Sequence, residues 1–234
     1  MYKVSNKEEE AFITTSPWLK LSGADRPNLR KKMDSYTNLA IEKTFPKGSC
    51  LINAGDVLGG VYYLKDGTVQ VSLVGKNGLE KILTLSSEDY FLGEEILFHH
   101  QPALYSAFAL TDVRVYLFPK HTFLNILRND FEVAHCIMYG MAIRVRVLAN
   151  QIEDLLFRSA FEKVVRTLFY YSVMENNDNF AISHKNLATI VGAHRVSITN
   201  VIAELKEAGI VETQYGKIII KDKIALKELV FQNL

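Results

Sequence analysis

The sequence predicts an α+β protein in three consecutive parts: an N-terminal antiparallel β-roll of the jelly-roll type, one long helix, and a C-terminal winged helix-turn-helix. Three observations predict this architecture. Short alternating segments separated by turn residues fill residues 39–118, a proline-free apolar repeat covers residues 131–157, and residues 182–220 follow the pattern helix, glycine turn, helix, hairpin. The corresponding domains are residues 1–130, 131–157 and 158–234.

The composition is that of an ordinary folded protein. The chain has 234 residues, of which 48% are hydrophobic and 23% charged, enough for one or two domains with proper cores. No segment approaches the ~18 uncharged apolar residues of a membrane span. The first residues, MYKVSNKEEEAF, lack the apolar core of a signal peptide. We therefore expect a cytoplasmic protein without a membrane partner.

The sequence contains no pattern typical of an enzyme or a metal site. Cys50 and Cys136 lie far apart and outside any CxxC motif, which favours two buried thiols and leaves a redox role as the alternative. No Ser/His/Asp, HExxH or Walker pattern occurs, and adjacent carboxylates such as Glu94 and Glu95 usually point apart. We predict no catalytic residues and no metal ligands.

The β-roll is predicted from turn residues that interrupt short alternating segments. Roughly eight antiparallel strands are expected to form a barrel with room for a ligand. Asp66-Gly67 and Asn77-Gly78 are dipeptides that favour tight hairpin turns. Residues 1–35 are expected to form short helices before the roll, and residues 119–127 a short helix after it.

The long helix carries an apolar repeat close to that of a two-stranded coiled coil. Its apolar residues are spaced 4, 4, 3, 4 and 3 apart: Ile137, Met141, Val145, Leu148, Ile152 and Leu155. This seam predicts a homodimer. The alternative is that the same residues pack on the chain's own roll.

The C-terminal part is predicted to begin with a helix over residues 158–173, followed by a polar loop over residues 174–179. A short helix then starts after a possible cap at Ser183 and stops at Gly192, and a second helix follows after a three-residue connector. Beyond Gly209, two β-branched runs around residues 214–216 predict a hairpin, the wing, and a terminal helix follows.

Two helices joined by so short a turn cross steeply, the geometry that places the second helix in the major groove of DNA. Its outward residues include side chains that can contact base edges and phosphates. The candidate DNA-binding residues are Ser183, His194, Arg195, Val196, Ser197, Thr199 and Asn200. The alternative is a pair of packed helices and a hairpin without a DNA-binding role.

Charge is weak support for nucleic-acid binding in this chain. Residues 158–234 carry 10 basic and 8 acidic residues, whereas residues 1–157 carry 17 and 18. The C-terminal part is thus only slightly basic, so DNA affinity would have to come from a few contacts and from dimerisation.

The order of roll, long helix and winged helix resembles the Crp/Fnr family of bacterial transcription regulators over nearly the whole chain. The resemblance is carried by VYYLKDGTVQVSLVGKNGLEKILTL and YFLGEEILF in the roll and by LATIVGAHRVSITNVIAELKEAGIVE at the C-terminus. It implies a cyclic-nucleotide-binding-like sensor domain with a small-molecule effector.

The resemblance also indicates that the effector is not cyclic AMP. Members that bind cyclic AMP hold its phosphate with a Gly-Glu pair and a following Arg-Ser pair. Here Gly93-Glu94 is present, but Tyr105-Ser106 replaces Arg-Ser, which removes the bidentate guanidinium grip. A hydroxyl pair that meets the purine corresponds, by ungapped count, to Leu148-Ala149.

Other branches of the family fit less well or give no decision. The oxygen-sensing branch uses four cysteines for an iron–sulfur cluster, and this chain has two. A haem-binding member would need axial ligands, for which His99, His100, His121 and His135 offer candidates without a telling spacing.

The regulators of dehalorespiration that respond to chlorinated phenols are a closer likeness. Their dimer helix has a lysine facing the phenolate, and the matching position here is Arg144. An apolar pocket with one cation would suit an aromatic or aliphatic anion. The candidate effector-binding residues are Gly93, Glu94, Glu95, Tyr105, Ser106, Arg144 and Leu148. The alternative for Arg144 is a solvated residue beside the seam.

On the second helix, the resemblance implies how DNA is read. Arg195 matches an arginine used on guanine, Val196 stands where a glutamate accepts from cytosine, and Asn200 takes the place of a second arginine. His194 sits where a capping serine is common. Val196 would favour a thymine methyl and Asn200 an adenine, so the half-site should be rich in A·T.

The sequence therefore predicts a homodimeric, effector-responsive transcription regulator. Its partners would be inverted-repeat double-stranded DNA, a second copy of the chain, a small-molecule effector and, if it activates transcription, RNA polymerase. The competing hypotheses are a ligand-binding module that acts on a partner protein, and a haem or redox sensor of the same family.

Overall fold

The structure, a computed structural model, describes residues 9, 12, 20–21, 28–76, 78–99, 101–174, 177–214 and 216–231. The chain divides into two units. The roll unit spans Leu19–Gly78 and Ile82–Arg146, and the head unit comprises Val147–Leu234 with Leu79–Lys81 and the described residues of Met1–Trp18.

The roll consists of two sheets. Its strands are β1 (Lys20–Leu21), β2 (Ile41–Phe45), β3 (Cys50–Ile52), β4 (Gly60–Asp66), β5 (Val69–Val74), β6 (Glu80–Ser86), β7 (Tyr90–Leu92), β8 (Ser106–Ala109) and β9 (Val113–Pro119). One sheet has the order β1-β6-β5-β8-β3 and the other β2-β9-β4-β7. The predicted jelly-roll is confirmed. Lys20–Leu21 lies in the segment expected to form short helices, but it is a strand that pairs parallel with β6.

The Asp66-Gly67 turn is not the predicted hairpin. It connects β4 in one sheet to β5 in the other, so it is a corner between the sheets. Gly67 has φ +96°, and a Cβ there would lie 2.4 Å from the carbonyl oxygen of Asp112. The glycine therefore serves a close approach between two backbones. The second predicted hairpin is confirmed in its strands, because β5 and β6 are neighbours, while Asn77 itself lies outside the described residues.

Helices close one side of the roll. A short helix α1 (Leu29–Asp34) precedes β2, and α2 (Lys120–Asn129) follows β9 directly, so the predicted helix starts after Pro119. Leu29, Met33 and Phe123 are buried together with aromatic residues of the neighbouring sheet. Their packing fixes these helices on the roll.

The long helix α3 (Phe131–Phe157) matches its predicted bounds, but its apolar repeat has two different environments. Ile137 is buried in the core of the roll unit, and Met141 packs partly against the same core. The prediction that Ile137 belongs to an intermolecular seam is therefore wrong, because the roll already covers it. The later members of the repeat are exposed: Val145, Leu148, Ile152 and Leu155.

The head unit contains the helix-turn-helix and the wing. Its elements after α3 are α4 (Ala160–Met174), β10 (Asn179–Phe180), α5 (His184–Val191), α6 (Arg195–Glu207), β11 (Val211–Gln214), β12 (Lys217–Ile220) and α7 (Lys223–Phe231). The predicted wing is confirmed by the pairing of β11 with β12. The end of the predicted loop 174–179 is instead a third strand, because β10 pairs with β12. None of the described helices is long and apolar enough to cross a membrane.

Candidate functional site

The predicted effector residues of the roll gather around the turn after β7. Gly93 has φ +78° and opens a short 3-10 turn, Glu94–Leu97. A Cβ at position 93 would lie 2.8 Å from a methyl carbon of Leu58, and the positive φ strains any residue other than glycine at this position. The turn places Glu94 inside the roll unit, where it is 2% exposed.

Arg144 of α3 forms an ion pair with Glu94. The arginine side chain is 23% exposed, and its guanidinium lies 5.8 Å from the centre of the Tyr90 ring. The other carboxylate oxygen of Glu94, Oε2, has no hydrogen-bond partner in the described part of the chain. The cation expected to face an effector is therefore neutralised by a carboxylate of its own chain. The alternative of a solvated Arg144 beside the seam does not hold.

The Tyr105 hydroxyl occupies the backbone N–H of Gly93, a donor that a bound cyclic-nucleotide phosphate would need. Its hydroxyl oxygen accepts a hydrogen bond from the Gly93 N–H at 3.1 Å. Burial, together with the neighbouring Glu95 carboxylate, raises the pKa of Tyr105, so the phenol keeps its proton and donates a hydrogen bond to Glu95. The aromatic replacement of arginine thus removes a cation and also occupies an amide.

Ser106 is occupied in a similar way. Its hydroxyl oxygen accepts from the Ala54 N–H at 3.1 Å, and the residue is buried on β8. Leu148, the remaining predicted effector residue, lies four positions after Arg144 on α3 and is exposed. The sequence analysis did not identify Tyr90 or Ala54. Tyr90 contributes a ring near the Arg144 guanidinium and Ala54 contributes a backbone N–H, and neither contact produces a recognisable sequence motif.

A separate surface pocket lies elsewhere on the roll unit and has a volume of about 450 Å³. None of its lining residues is a predicted effector residue. Two charged residues of its lining, Arg114 and Asp66, are paired with each other. The pocket is lined by Thr44, Phe45, Pro46, Asp66, Asp112, Val113 and Arg114.

The helix-turn-helix of the head unit has the predicted signals at both ends of its first helix. The Ser183 hydroxyl accepts from the Asn186 N–H at 3.1 Å and caps α5. Gly192 adopts the left-handed conformation with φ +68°, and its N–H donates to the Ala188 carbonyl at 2.9 Å. Ser183 therefore uses its hydroxyl within the chain.

The second helix, α6, separates a buried side from an exposed side. Ile198, Val201, Ile202 and Leu205 are buried against the rest of the head unit. The other residues predicted to contact DNA lie on the exposed side of α6. Val196 is 72% exposed, and Ser197 is half-buried, the least exposed of the set. The exposed members are His194, Arg195, Val196, Thr199 and Asn200.

One contact on this side was not predicted. The Nδ1 atom of His184, at the start of α5, lies 3.1 Å from the Thr199 hydroxyl oxygen on α6. The two positions are 15 residues apart in the sequence and on different helices, so no periodicity relates them. His194, in contrast, precedes α6 without a capping hydrogen bond from its side chain.

The fold and these two sites define a DNA-binding regulator with an effector-binding domain. Residues 42–130 match the cyclic nucleotide-binding domain family, and residues 162–229 match the Crp-like helix-turn-helix domain family. The transcriptional regulator SdrP of Thermus thermophilus is 32% identical over 171 residues, covering 72% of this chain and 82% of that protein. The chain belongs to the Crp/Fnr family of transcription regulators.

Other relatives agree with this assignment. The cyclic AMP receptor protein of Thermus thermophilus is 25% identical over 189 residues, covering 81% of this chain and 88% of that protein. Among solved structures, the Crp/Fnr-family regulator TTHA1359 of the same organism has a TM-score of 0.66 at 28% identity, covering 83% of this chain and 100% of that one. CprK in complex with OCPA has a TM-score of 0.67 at 22% identity, covering 85% and 93%, which shows a shared fold.

Proposed function

We propose that this transcription regulator acts in the cytoplasm as a homodimer that binds inverted-repeat DNA and responds to a small molecule other than cyclic AMP. One observation carries the proposal. The residues able to discriminate bases, Arg195, Val196 and Asn200, are all exposed on one side of α6, while the opposite side is fixed by buried aliphatic residues. Such a helix can enter a major groove without rearrangement of its own core.

The exposed part of the α3 repeat supports the homodimer. Val145, Leu148, Ile152 and Leu155 retain the spacing of a coiled-coil seam and are all exposed. A second copy would bury them at about 25 cal/mol per Å² of apolar surface. Because one slightly basic head offers few phosphate contacts, two heads on one DNA would supply both affinity and specificity.

The reading residues define the expected half-site. A bidentate arginine selects guanine through O6 and N7, a bidentate asparagine selects adenine through N6 and N7, and an apolar branch prefers the thymine methyl. Arg195, Asn200 and Val196 would thus read one G·C pair and two A·T pairs. Half-sites of a two-fold dimer should be inverted and about 34 Å apart.

The contacts around Gly93 support an effector other than a cyclic nucleotide. The Gly93 amide and the Ser106 hydroxyl already have partners, Tyr105 and Ala54, and Arg144 is paired with Glu94. Arg144 would instead suit an organic acid, which would compete with Glu94 for the guanidinium. CprK, a protein of the same fold, was solved in complex with OCPA, which supports a bound effector in a protein of this fold.

The mechanism we propose is a population shift. An effector that binds the DNA-competent dimer more tightly than the resting dimer stabilises it by the difference in binding free energy, and DNA affinity rises by linkage. If the bound dimer activates transcription, RNA polymerase is its further partner.

A selection from random double-stranded DNA followed by fluorescence anisotropy tests the proposal. We expect an inverted repeat with A·T-rich half-sites, and an affinity that falls steeply with salt as counterions are released. Absence of enrichment for any inverted repeat, with and without a panel of aromatic and aliphatic acids, would refute it. That result would favour the alternative of a ligand-binding module whose winged helix contacts a protein, which would bind little DNA at any salt concentration.

A further inference from the structure

The hydrogen bonds around Thr199 determine where His184 carries its proton. The Thr199 hydroxyl donates its single hydrogen to the Arg195 carbonyl oxygen, at 3.0 Å. Its oxygen is therefore an acceptor towards His184, whose Nδ1 lies at 3.1 Å. The hydrogen-bond network thus assigns the Nδ1–H form to His184 whenever its ring is neutral.

This assignment leaves Nε2 of the neutral ring with a lone pair and no hydrogen. In that form His184 cannot donate a hydrogen bond to a phosphate oxygen. The protonated ring keeps its Nδ1–H bond to Thr199 and gains an Nε2–H donor and a positive charge. Because Thr199 holds the Nδ1–H, His184 can donate a hydrogen bond to a phosphate only when its ring is protonated.

His184 lies where a phosphate contact is expected. In helix-turn-helix docking the first helix crosses the DNA backbone while the second reads bases. His184 begins the first helix and is joined to Thr199, which is exposed on the same side of α6 as Asn200. Neutralising phosphates is the part of DNA binding in which a single added charge has the largest effect.

Among the described residues, the charged groups of the neighbouring elements do not supply an acid to this pair. Lys185 follows His184 on α5, and Arg195 lies one turn before Thr199 on α6; both are basic and exposed. On α4, which also packs on α5, Glu162 is bound to the backbone and hydroxyl of Ser159, while Lys163 and Arg166 are buried. DNA phosphates would then be the anions that meet a protonated His184.

We propose that His184 is a proton-dependent phosphate contact, so that DNA binding by each head is linked to proton uptake. The proposal rests on the DNA-binding function above and adds a residue outside the predicted reading set. DNA affinity should therefore increase as the pH falls. The second histidine of this surface, His194, has no comparable contact to fix its ring and serves as the internal comparison.

The test measures DNA anisotropy near pH 6 and near pH 8, at several salt concentrations, with an inverted repeat recovered by the protein from random DNA. We expect affinity to fall about ten-fold per head between the two conditions. The slope of log affinity against log salt should be steeper at the lower pH by about 0.9 for each histidine. Thermal melts of every variant at both pH values verify folding.

Three variants separate this contact from a general pH effect. His184→Gln presents an amide donor at every pH, so the pH dependence should disappear. His194→Gln should retain it. Thr199→Val removes the acceptor, which allows a neutral ring to carry its proton on Nε2. The ratio of the affinities at the two pH values should therefore shrink, whatever the loss of the Thr199 hydroxyl costs at both.

The outcomes distinguish this inference from the function on which it rests. Failure to bind any inverted repeat at either pH refutes the proposed function. Equal affinity at both pH values, loss of the dependence in His194→Gln but not in His184→Gln, or an unchanged salt slope overturns the role of His184 alone. Loss of the dependence in His184→Gln with a steeper salt slope at low pH in the parent protein supports it.

Discussion

Removing the positive charge of Arg144 should destabilise the roll unit far more than removing the negative charge of Glu94, with which it forms an ion pair. The Glu94 side chain is 3% exposed, whereas that of Arg144 is 23% exposed. Arg144→Met keeps the apolar stem but leaves a buried carboxylate without a cation, which costs about 3 kcal/mol. Glu94→Gln leaves a guanidinium that can still reach water, and we expect about 1 kcal/mol.

The double variant should recover most of the loss. When Glu94→Gln and Arg144→Met are combined, no unpaired charge remains, so the free energy of unfolding should fall by clearly less than the sum of the single effects. Urea denaturation monitored by circular dichroism gives the three midpoints at a common slope. Arg128→Met, on the exposed side of α2, is the matched control and should change stability by at most about 0.5 kcal/mol.

The reasoning is refuted if Arg144→Met costs less than about 1 kcal/mol, or if the two single effects simply add. The result also bears on the effector. A loss of effector response in an Arg144 variant has two explanations, a lost ligand contact and a strained roll. Comparing Glu94→Gln with the double variant separates them, because both lack the buried carboxylate.

Three further predictions concern the head unit and α3. Asn200→Ala should cost roughly 1–3 kcal/mol at one adenine position and relax selectivity there, whereas Ser197→Ala should weaken all sequences alike; an unchanged consensus in a selection from random DNA would contradict this. Ser159→Ala should cost about 1 kcal/mol at neutral pH, measured by urea denaturation, because Ser159 and Glu162 bond reciprocally at the start of α4. Hydrogen bonds from Ser159 lower the pKa of Glu162 in the folded protein. The stabilisation by this pair is therefore present above 4.5, the ordinary pKa of Glu162, and is lost as the pH falls through its lowered pKa in the folded protein. A cost of Ser159→Ala that grows on acidification would contradict this prediction. Ile152→Asp should yield a folded monomer by light scattering, and a dimer of unchanged strength would exclude the α3 seam.

The arrangement of elements was predictable because each carries a local signal. Gly192 and Gly209 end helices α5 and α6 in the positive-φ conformation that glycine allows, and both are visible in the sequence. The period of the strands and the absence of proline over residues 131–157 are local as well. Such features depend on residues a few positions apart, so a single sequence contains them.

Predictions failed where the answer depends on residues distant in sequence. Asp66-Gly67 has the composition of a hairpin turn, but the backbone of Asp112 decides that it is a corner. Ile137 fits the coiled-coil repeat, yet the aromatic core of the roll covers it. The pairing of β10 with β12 and the Glu94–Arg144 ion pair join positions that no periodicity relates.

The small charge of the head explains why single side chains should matter so much for DNA binding. With 10 basic and 8 acidic residues after Phe157, the head has no broad cationic field that would mask the loss of one contact. Each contact to a phosphate contributes close to one released counterion, so adding one protonated histidine to a head with few such contacts changes affinity and its salt dependence measurably. The same scarcity favours the proposed dimer, because the effects of two heads multiply in affinity when both heads are on one DNA. The two proposals, proton uptake by His184 and dimerisation through α3, therefore predict a joint result: a monomeric Ile152→Asp variant should show both weak binding and half the proton dependence of the dimer.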